Sequence, residues 1–257
     1  MLTIAVLTYN NHQQLLPECL SSIDNQLPMR EHTKKQKEIK VNKMIIDNCA
    51  DVPVKKIDGW KLIRLQKNVG NIGGQNRAFE LALDDYVLFV SDDVRLTYGS
   101  LRQLWDSRND STQIAPIIIN KNGTIQSGDT KIVWPFYGLS TRKATDRHMF
   151  VPYIPSICYL MTKRAWSQVC GFDESLPMAY EDVDFGLKQM FLNNRGRIIT
   201  YATAIHLGNA TLKYTKKDRW RFHQARLQVI RKHFSGWDRA TRLAAVRFLD
   251  AIRGLLG

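Results

Sequence analysis

Cysteine is scarce in this sequence. Cys19, Cys49, Cys158 and Cys170 are scattered over 257 residues with no CxxC pair. That spacing argues against a zinc cage or a disulfide framework and suits a reducing, cytosolic setting. No run of about 18 apolar residues occurs, so no segment reads as a spanning helix. The first ten residues, MLTIAVLTYN, carry no basic stretch and no cleavage site. They read as a first strand and not as a signal peptide. GxSxG and HExxH are both missing, which leaves hydrolase readings without support. Only 8 Pro and 15 Gly occur in a chain that is 44% hydrophobic, so it is neither disordered nor fibrous and can bury a sizeable core.

Acidic residues are outnumbered, 24 against 37 Lys and Arg, for a net charge of +13. The excess is local. Residues 213–257 hold twelve Lys/Arg and three Asp, or +9, and residues 30–43 hold six Lys/Arg and two Glu, or +4. The rest of the chain is neutral. One internal segment and one tail therefore point to an anionic partner: nucleic acid, lipid headgroups or a phosphorylated acceptor. A merely solubilising surface is the alternative.

Strand and helix signals alternate in the first half. Strands are expected at Leu2–Thr8, Val41–Asp47, Trp60–Gln66 and Tyr86–Ser91, with helices through Leu15–Ile23 and Asn76–Leu83. This alternation predicts an α/β fold with a mainly parallel sheet flanked by helices. Ligands bind beyond the carboxyl ends of such strands, where Thr8-Tyr9-Asn10, Asp47-Asn48 and Asp92-Asp93 fall. Residues 129–155 read as a long loop beside a site. Further on come a strand at Ile157–Thr162, a helix over Glu181–Asn193, a strand at Arg197–Ala202 ending near His206, and two terminal helices broken near Ser235-Gly236. No repeat or linker is visible. The division expected is one main domain over residues 1–212, its first half ending at about 95, and a basic helical extension over 213–257.

Asp92-Asp93 closes an apolar strand, and two adjacent carboxylates there invite a cation that takes oxygen ligands. A plain turn would also suit the pair. Glu181, Asp182 and Asp184 crowd one helix start. The macrodipole explains one of them, and another could be a general base. His206 alone is better explained by structure than by ligation. The run Asn68–Gly74, NVGNIGG, looks like a phosphate loop but matches neither GxGxxG nor GxxxxGK[ST]. Its glycines are expected to let backbone approach a ligand closely.

Taken together, IAVLTYN (4–10), IIDN (45–48), NVGNIGG (68–74), YVLFVSDD (86–93), IQSG (125–128), GFDE (171–174), YEDVDF (180–185) and His206 occur in an order that resembles the family-2 inverting glycosyltransferases of GT-A fold. The rhamnosyltransferase-like branch is the most similar. The likeness runs over residues 2–235. It departs at the basic segment 28–43 and at the NCAD run (48–51). The resemblance implies that Thr8, Tyr9, Asn10, Asp47, Asn68 and Gly73 line the nucleotide-sugar pocket. Asp93 would bind a divalent cation, Mn²⁺ or Mg²⁺, with Asp92 on the ribose or a metal water and His206 reaching the metal or diphosphate. Asp182 would be the catalytic base and Glu181 its neighbour and possible substitute.

The implied donor is a UDP- or dTDP-linked sugar. The acceptor would be a lipid-linked or surface glycan at the cytoplasmic face of a membrane, or a hydroxylated base of DNA. A GT-A-like module that binds nucleotide sugar or polyanion without turnover is a third reading, disfavoured by the two intact acidic pairs. Arg30, Lys34, Lys35, Lys37, Arg219, Arg221 and Arg242 form the candidate acceptor surface. On Ala240–Leu256 an apolar stripe of Leu243, Val246, Leu249, Ile252 and Leu256 would pack on the body or lie on a membrane.

Overall fold

Apolar runs of β-branched residues build the first strand, β1 (Leu2–Thr8), every residue of which is buried. It leads into α1 (His12–Asp24), then β2 (Val41–Asp47) and β3 (Lys61–Arg64). Next come α2 (Gly70–Leu81), β4 (Tyr86–Ser91), β5 (Val94–Leu96) and α3 (Ser100–Asp106). The chain continues through β6 (Ile114–Asn120), β7 (Ile125–Ser127), β8 (Thr130–Val133), β9 (Tyr137–Ser140) and β10 (Met149–Val151). It ends with β11 (Cys158–Thr162), α4 (Lys163–Gln168), α5 (Glu181–Phe191), β12 (Gly196–His206), α6 (Lys216–His233) and α7 (Gly236–Leu255). This computed structural model describes residues 1–10, 12–31, 37–135, 137–140, 149–176, 179–208 and 216–255.

The main sheet runs β10-β12-β6-β11-β4-β1-β2-β3, with β5 on β12 and β7 on β6. Its N-terminal half is parallel: β1 lies between β2 and β4, with Thr8 opposite Asp47 and Leu7 opposite Ser91. The parallel expectation stops there. β11 runs antiparallel to both β4 and β6, and the sheet is mixed beyond it. Apolar runs report burial and not strand direction, so this reversal left no trace in the periodicity. Similarly, α2 begins six residues before the expected Asn76, and the expected loop 129–155 contains β8, β9 and β10.

Alternating residues of β1 feed two cores. Leu2, Ile4 and Val6 pack with α1 and α3, and Ala5 and Leu7 pack with α2, α4 and α5. A third cluster joins Val183 and Leu187 of α5 to Leu227, Val229 and Ile230 of α6 and Val246 of α7. The terminal helices are therefore seated on the body.

Two glycines show how closely helices approach. A Cβ on Gly74 would stand 2.6 Å from the Leu7 methyls, so α2 lies directly on β1. A Cβ on Gly186 would stand 2.2 Å from the Pro152 carbonyl and 2.8 Å from Tyr153 Cα. Backbone cannot yield as a flexible side chain can. In an exposed helix Gly→Ala gains about 1 kcal/mol, but Gly186→Ala should instead cost about 3 kcal/mol through overpacking. Chemical denaturation checks the sign, and a stabilised Gly186→Ala protein would contradict this packing.

Candidate active site

Three strand ends meet at one edge of the sheet. Thr8 ends β1, Asp47 ends β2, and Asp92 and Asp93 follow β4. Thr8 is buried, 1% exposed, and its hydroxyl donates to Asp92 Oδ2 at 2.5 Å. Asp92 N also donates to Leu7 O. Thr8 thus supports the acidic turn from beneath. Asp47 is fully buried as well. Its oxygens accept from Ala50 N at 2.8 Å, Val54 N at 3.2 Å and the Arg64 guanidinium at 2.5 Å, which shapes the loop after β2. Tyr9 stays exposed, and Asn10 is exposed and bridges to Asp51 in both directions, 2.8 and 2.9 Å.

Asn68 Oδ1 accepts from Asn48 at 3.0 Å and from Gly70 N at 2.8 Å. Asn48 is a residue to which the motif reading assigned no role. Its buried amide accepts from Val69 N at 3.0 Å and donates to Gly70 O at 3.1 Å, clamping the start of α2 against β2. Gly73 is buried, and a Cβ there would stand 2.8 Å from the Val69 Cβ, so the start of α2 packs tightly on itself.

The acidic turn is tied to β12. His206 Nε2 lies 2.9 Å from Asp93 Oδ2, and Nδ1 lies 2.8 Å from Gln126 Oε1. Pairing of β12 with β5, His206 opposite Val94, brings these distant residues together. With Nδ1–H donating to Gln126, Nε2 turns its lone pair toward an anionic oxygen. Either a proton or a divalent cation relieves that arrangement. Among the described residues no three His, Cys, Asp or Glu side chains gather into a closed cage. A site with one or two protein ligands suits a cation held chiefly by substrate phosphates, so the donor set fits.

The second acidic pair sits at the start of α5. Ala179 and Tyr180 before it both adopt left-handed φ of 64°. Glu181 Oε1 accepts from Ser156 Oγ at 2.7 Å. The adjacent Ile157 carbonyl accepts from Ser91 N at 2.9 Å, immediately before Asp92. Ser156, which carried no sequence signal, thereby couples the two acidic centres. Glu181 Oε2 is buried without a hydrogen-bond partner. Asp182 keeps a solvent-accessible edge. Surrounding protein atoms and then the Glu181 charge nonetheless push its carboxyl well above the usual carboxylate range.

Asp184 has another use. It is fully buried and meets His233 at 2.6 Å, Lys232 at 2.9 Å and Lys188 at 3.1 Å, locking α6 to α5. Burial would raise its carboxyl, but the bonds from His233 and Lys232 outweigh that and hold it below the ordinary range. A depressed carboxylate contributes stability above its unfolded pKa and loses it as pH falls through the folded one. Asp184→Asn should cost about 3 kcal/mol at neutral pH, since the partner cations stay behind. The deficit should shrink toward strongly acidic pH, which melts recorded across a pH series would reveal.

Arg226 is a further residue that the motifs missed. It is buried in α6, donates to Tyr180 Oη at 2.9 Å and pairs with Asp250 of α7 at 3.0 Å. His223 meets the same carboxylate. Tyr180, which precedes the acidic pair, is thus held by the C-terminal helices.

Of the candidate acceptor surface, Arg30 and Lys37 are exposed, as is Arg219, and Arg221 is half-buried. Lys34 and Lys35 lie outside the described residues. Arg242 is turned inward: it pairs with Asp238 at 2.7 Å, donates to Pro135 O and lies over the Phe234 ring. Met29 and Ile39, beside the internal basic segment, pack with α1 and α3, whereas α6 and α7 pack beyond α5. Among the described residues, the flanks of the internal basic segment thus pack on the α1 and α3 side and the terminal helices on the α5 side. Among the described residues no helix is long and apolar enough to cross a membrane.

Known proteins resemble this chain. The family model for glycosyl transferase family 2 matches residues 3–151, more than half of the chain. N-acetylglucosaminyl-diphospho-decaprenol L-rhamnosyltransferase of Mycobacterium tuberculosis is 24% identical over 223 residues, covering 77% of this chain and 71% of the relative. Among solved structures, GalNAc-T7 with UDP, GalNAc and Mn²⁺ superposes with a TM-score of 0.65 at 12% identity over 80% of this chain. The chain spans 44% of that protein's length. S. aureus TarS 1-349 in complex with UDP gives 0.57 at 18% identity, over 95% of this chain and 70% of the other. These likenesses lend no support to DNA modification. The matched family model, the strand order and the acidic turn after β4 agree: this chain belongs to glycosyl transferase family 2 and has the GT-A fold.

Proposed function

We propose that this chain moves a sugar from a nucleoside diphosphate donor, UDP- or dTDP-linked, to an acceptor hydroxyl with inversion at the sugar carbon. The observation that carries the reading is the pair of acidic centres on separate elements, coupled through Ser156, Ile157 and Ser91. One centre suits the leaving group and the other suits the nucleophile. Tyr9, Asn10 and the loop shaped by Asp47 and Asn68 bound the donor half, about residues 1–95. Asp93 and His206 would hold a divalent cation, Mn²⁺ or Mg²⁺, with Asp92 beside them. That cation supplies neutralisation of the charge growing on the departing diphosphate.

Asp182 takes the proton from the acceptor hydroxyl. The freed oxygen bonds to the sugar carbon from the face opposite the donor bond, and the electron pair of that bond leaves with the nucleoside diphosphate. Glu181, bonded to Ser156, positions the segment between the centres and keeps Asp182 in a charged neighbourhood that raises its basicity.

A lipid-linked acceptor is supported by the name of the Mycobacterium tuberculosis relative, which specifies a decaprenol-linked substrate. A lipid-linked acceptor would bring the protein to the cytoplasmic face of a membrane. Mass analysis of the protein incubated with Mn²⁺ and a panel of nucleotide sugars tests the reading. One donor should bind and be consumed, releasing its nucleoside diphosphate. Binding of a donor with no turnover in the presence of any polyprenyl-diphosphate sugar would make the chain a binding module.

A further inference from the structure

The last helix is apolar on two opposite sides. Its inner side follows the stripe read from sequence only in part. Val246 is fully buried and Leu243 packs against the third core cluster, so the body covers this side. At 100° per residue the opposite side carries Trp237, Ala240, Ala244, Phe248, Ala251 and Ile252. Trp237 is 87% exposed, Phe248 66% and Ile252 36%. Thr241 is the single polar residue among them, and the stripe extends about 22 Å along the helix. Monomeric proteins rarely leave so continuous an apolar face in water.

The charges beside it narrow the occupant. Arg247 is exposed on one flank, within a segment of net charge +9. A second copy would bring the same +9 against it, and like charges would face each other across the contact. A nucleic acid would meet a stripe whose side-chain donors are the Trp237 Nε1–H and the Thr241 hydroxyl alone, too few to hold its phosphates. An anionic bilayer satisfies both features, because its acyl boundary accepts the apolar stripe while its headgroups meet Arg247 and the basic segment around it. We propose that the outer face of α7 seats the protein on an anionic lipid bilayer, with the helix parallel to the membrane plane. The inference rests on the lipid-linked acceptor reading only for the relevance of such a surface. Asp250, on the inner side of the same helix, holds Arg226 and through it Tyr180, so the seat and the catalytic helix are mechanically joined.

Flotation of the full chain with phosphatidylcholine vesicles, with and without phosphatidylglycerol, tests the seat across about 50 to 500 mM salt. The protein should bind the anionic vesicles, retain part of that binding at high salt through the apolar stripe, and ignore the neutral ones at low protein concentration. Phe248→Glu should weaken binding by about tenfold or more while leaving the melting midpoint and donor hydrolysis without vesicles unchanged. Absence of binding to anionic vesicles at low salt overturns the proposal, as does undiminished binding by Phe248→Glu. A concentration-dependent dimer that Phe248→Glu dissociates, without vesicle binding, would assign the stripe to a second copy and overturn it too. Steep, Phe248-independent binding to duplex DNA would do the same. A chain that consumes donor but does not float loses this inference alone, and one that floats but consumes no donor loses only the catalytic reading.

Discussion

Asp182→Asn should leave the protein folded and able to bind its donor while turnover falls by about 10²–10⁴, the usual contribution of a general base. The substitution is nearly isosteric, and an amide oxygen can still accept from Val183 N as the carboxylate does at 2.7 Å. Because burial and Glu181 raise the Asp182 carboxyl, its base form accumulates only as pH climbs past the ordinary carboxylate range. The parent enzyme should therefore show a rate that rises with pH along a limb placed above that range. Asp182→Asn should lack the limb. Stability carries the opposite sign. A raised folded pKa means that ionising Asp182 costs stability as pH rises through it, so Asp182→Asn should melt no lower than the parent at neutral pH, and higher in alkali. Lost donor affinity with normal turnover at saturation, read by calorimetry and initial rates, would move Asp182 from proton transfer to binding.

Asp93→Asn is the other large effect. It removes the anionic partner of His206 at the turn after β4. Charge stabilisation of several kcal/mol is at stake there, so donor consumption should fall by about 10² or more. A chelator should reproduce the loss in the parent, and added Mn²⁺ or Mg²⁺ should restore it there but not in Asp93→Asn. His206→Gln keeps a neutral donor but not the imidazole, and should raise the metal concentration required by about 10- to 100-fold. Activity that survives both chelation and Asp93→Asn would remove the metal from the reaction. The two substitutions also separate the centres: Asp93→Asn should weaken metal-dependent donor binding, and Asp182→Asn should spare it.

Part of this protein was legible without coordinates. The strand at 2–8 is apolar at five of its seven positions, and the acidic pairs after β4 and at the start of α5 announce themselves by charge. Element type follows from such local periodicity. The break between the terminal helices at Ser235-Gly236 was equally visible, since glycine accepts the positive φ of 54° found at Gly236. Ser156, Arg226 and Asn48 had no comparable signature. A serine that joins two carboxylate centres looks like any loop serine, and a buried arginine in a basic tail looks like a solvated one.

The surroundings of Asp184 and Gly73 were likewise set only by what packs against them. Asp184 lies two residues from the proposed base, yet it faces Lys232 and His233 from α6, 48 and 49 positions along the chain. Gly73 sits in a run resembling a phosphate loop, yet Val69 fills its space. The apolar stripe of α7 met the same fate, because 3.6-residue spacing marks a face as apolar without telling which side the body covers. Sequence patterning determines strand, helix and charge because those are properties of neighbours along the chain. Partnership across 50 or 100 residues depends on strand order and direction, which only the folded sheet decides.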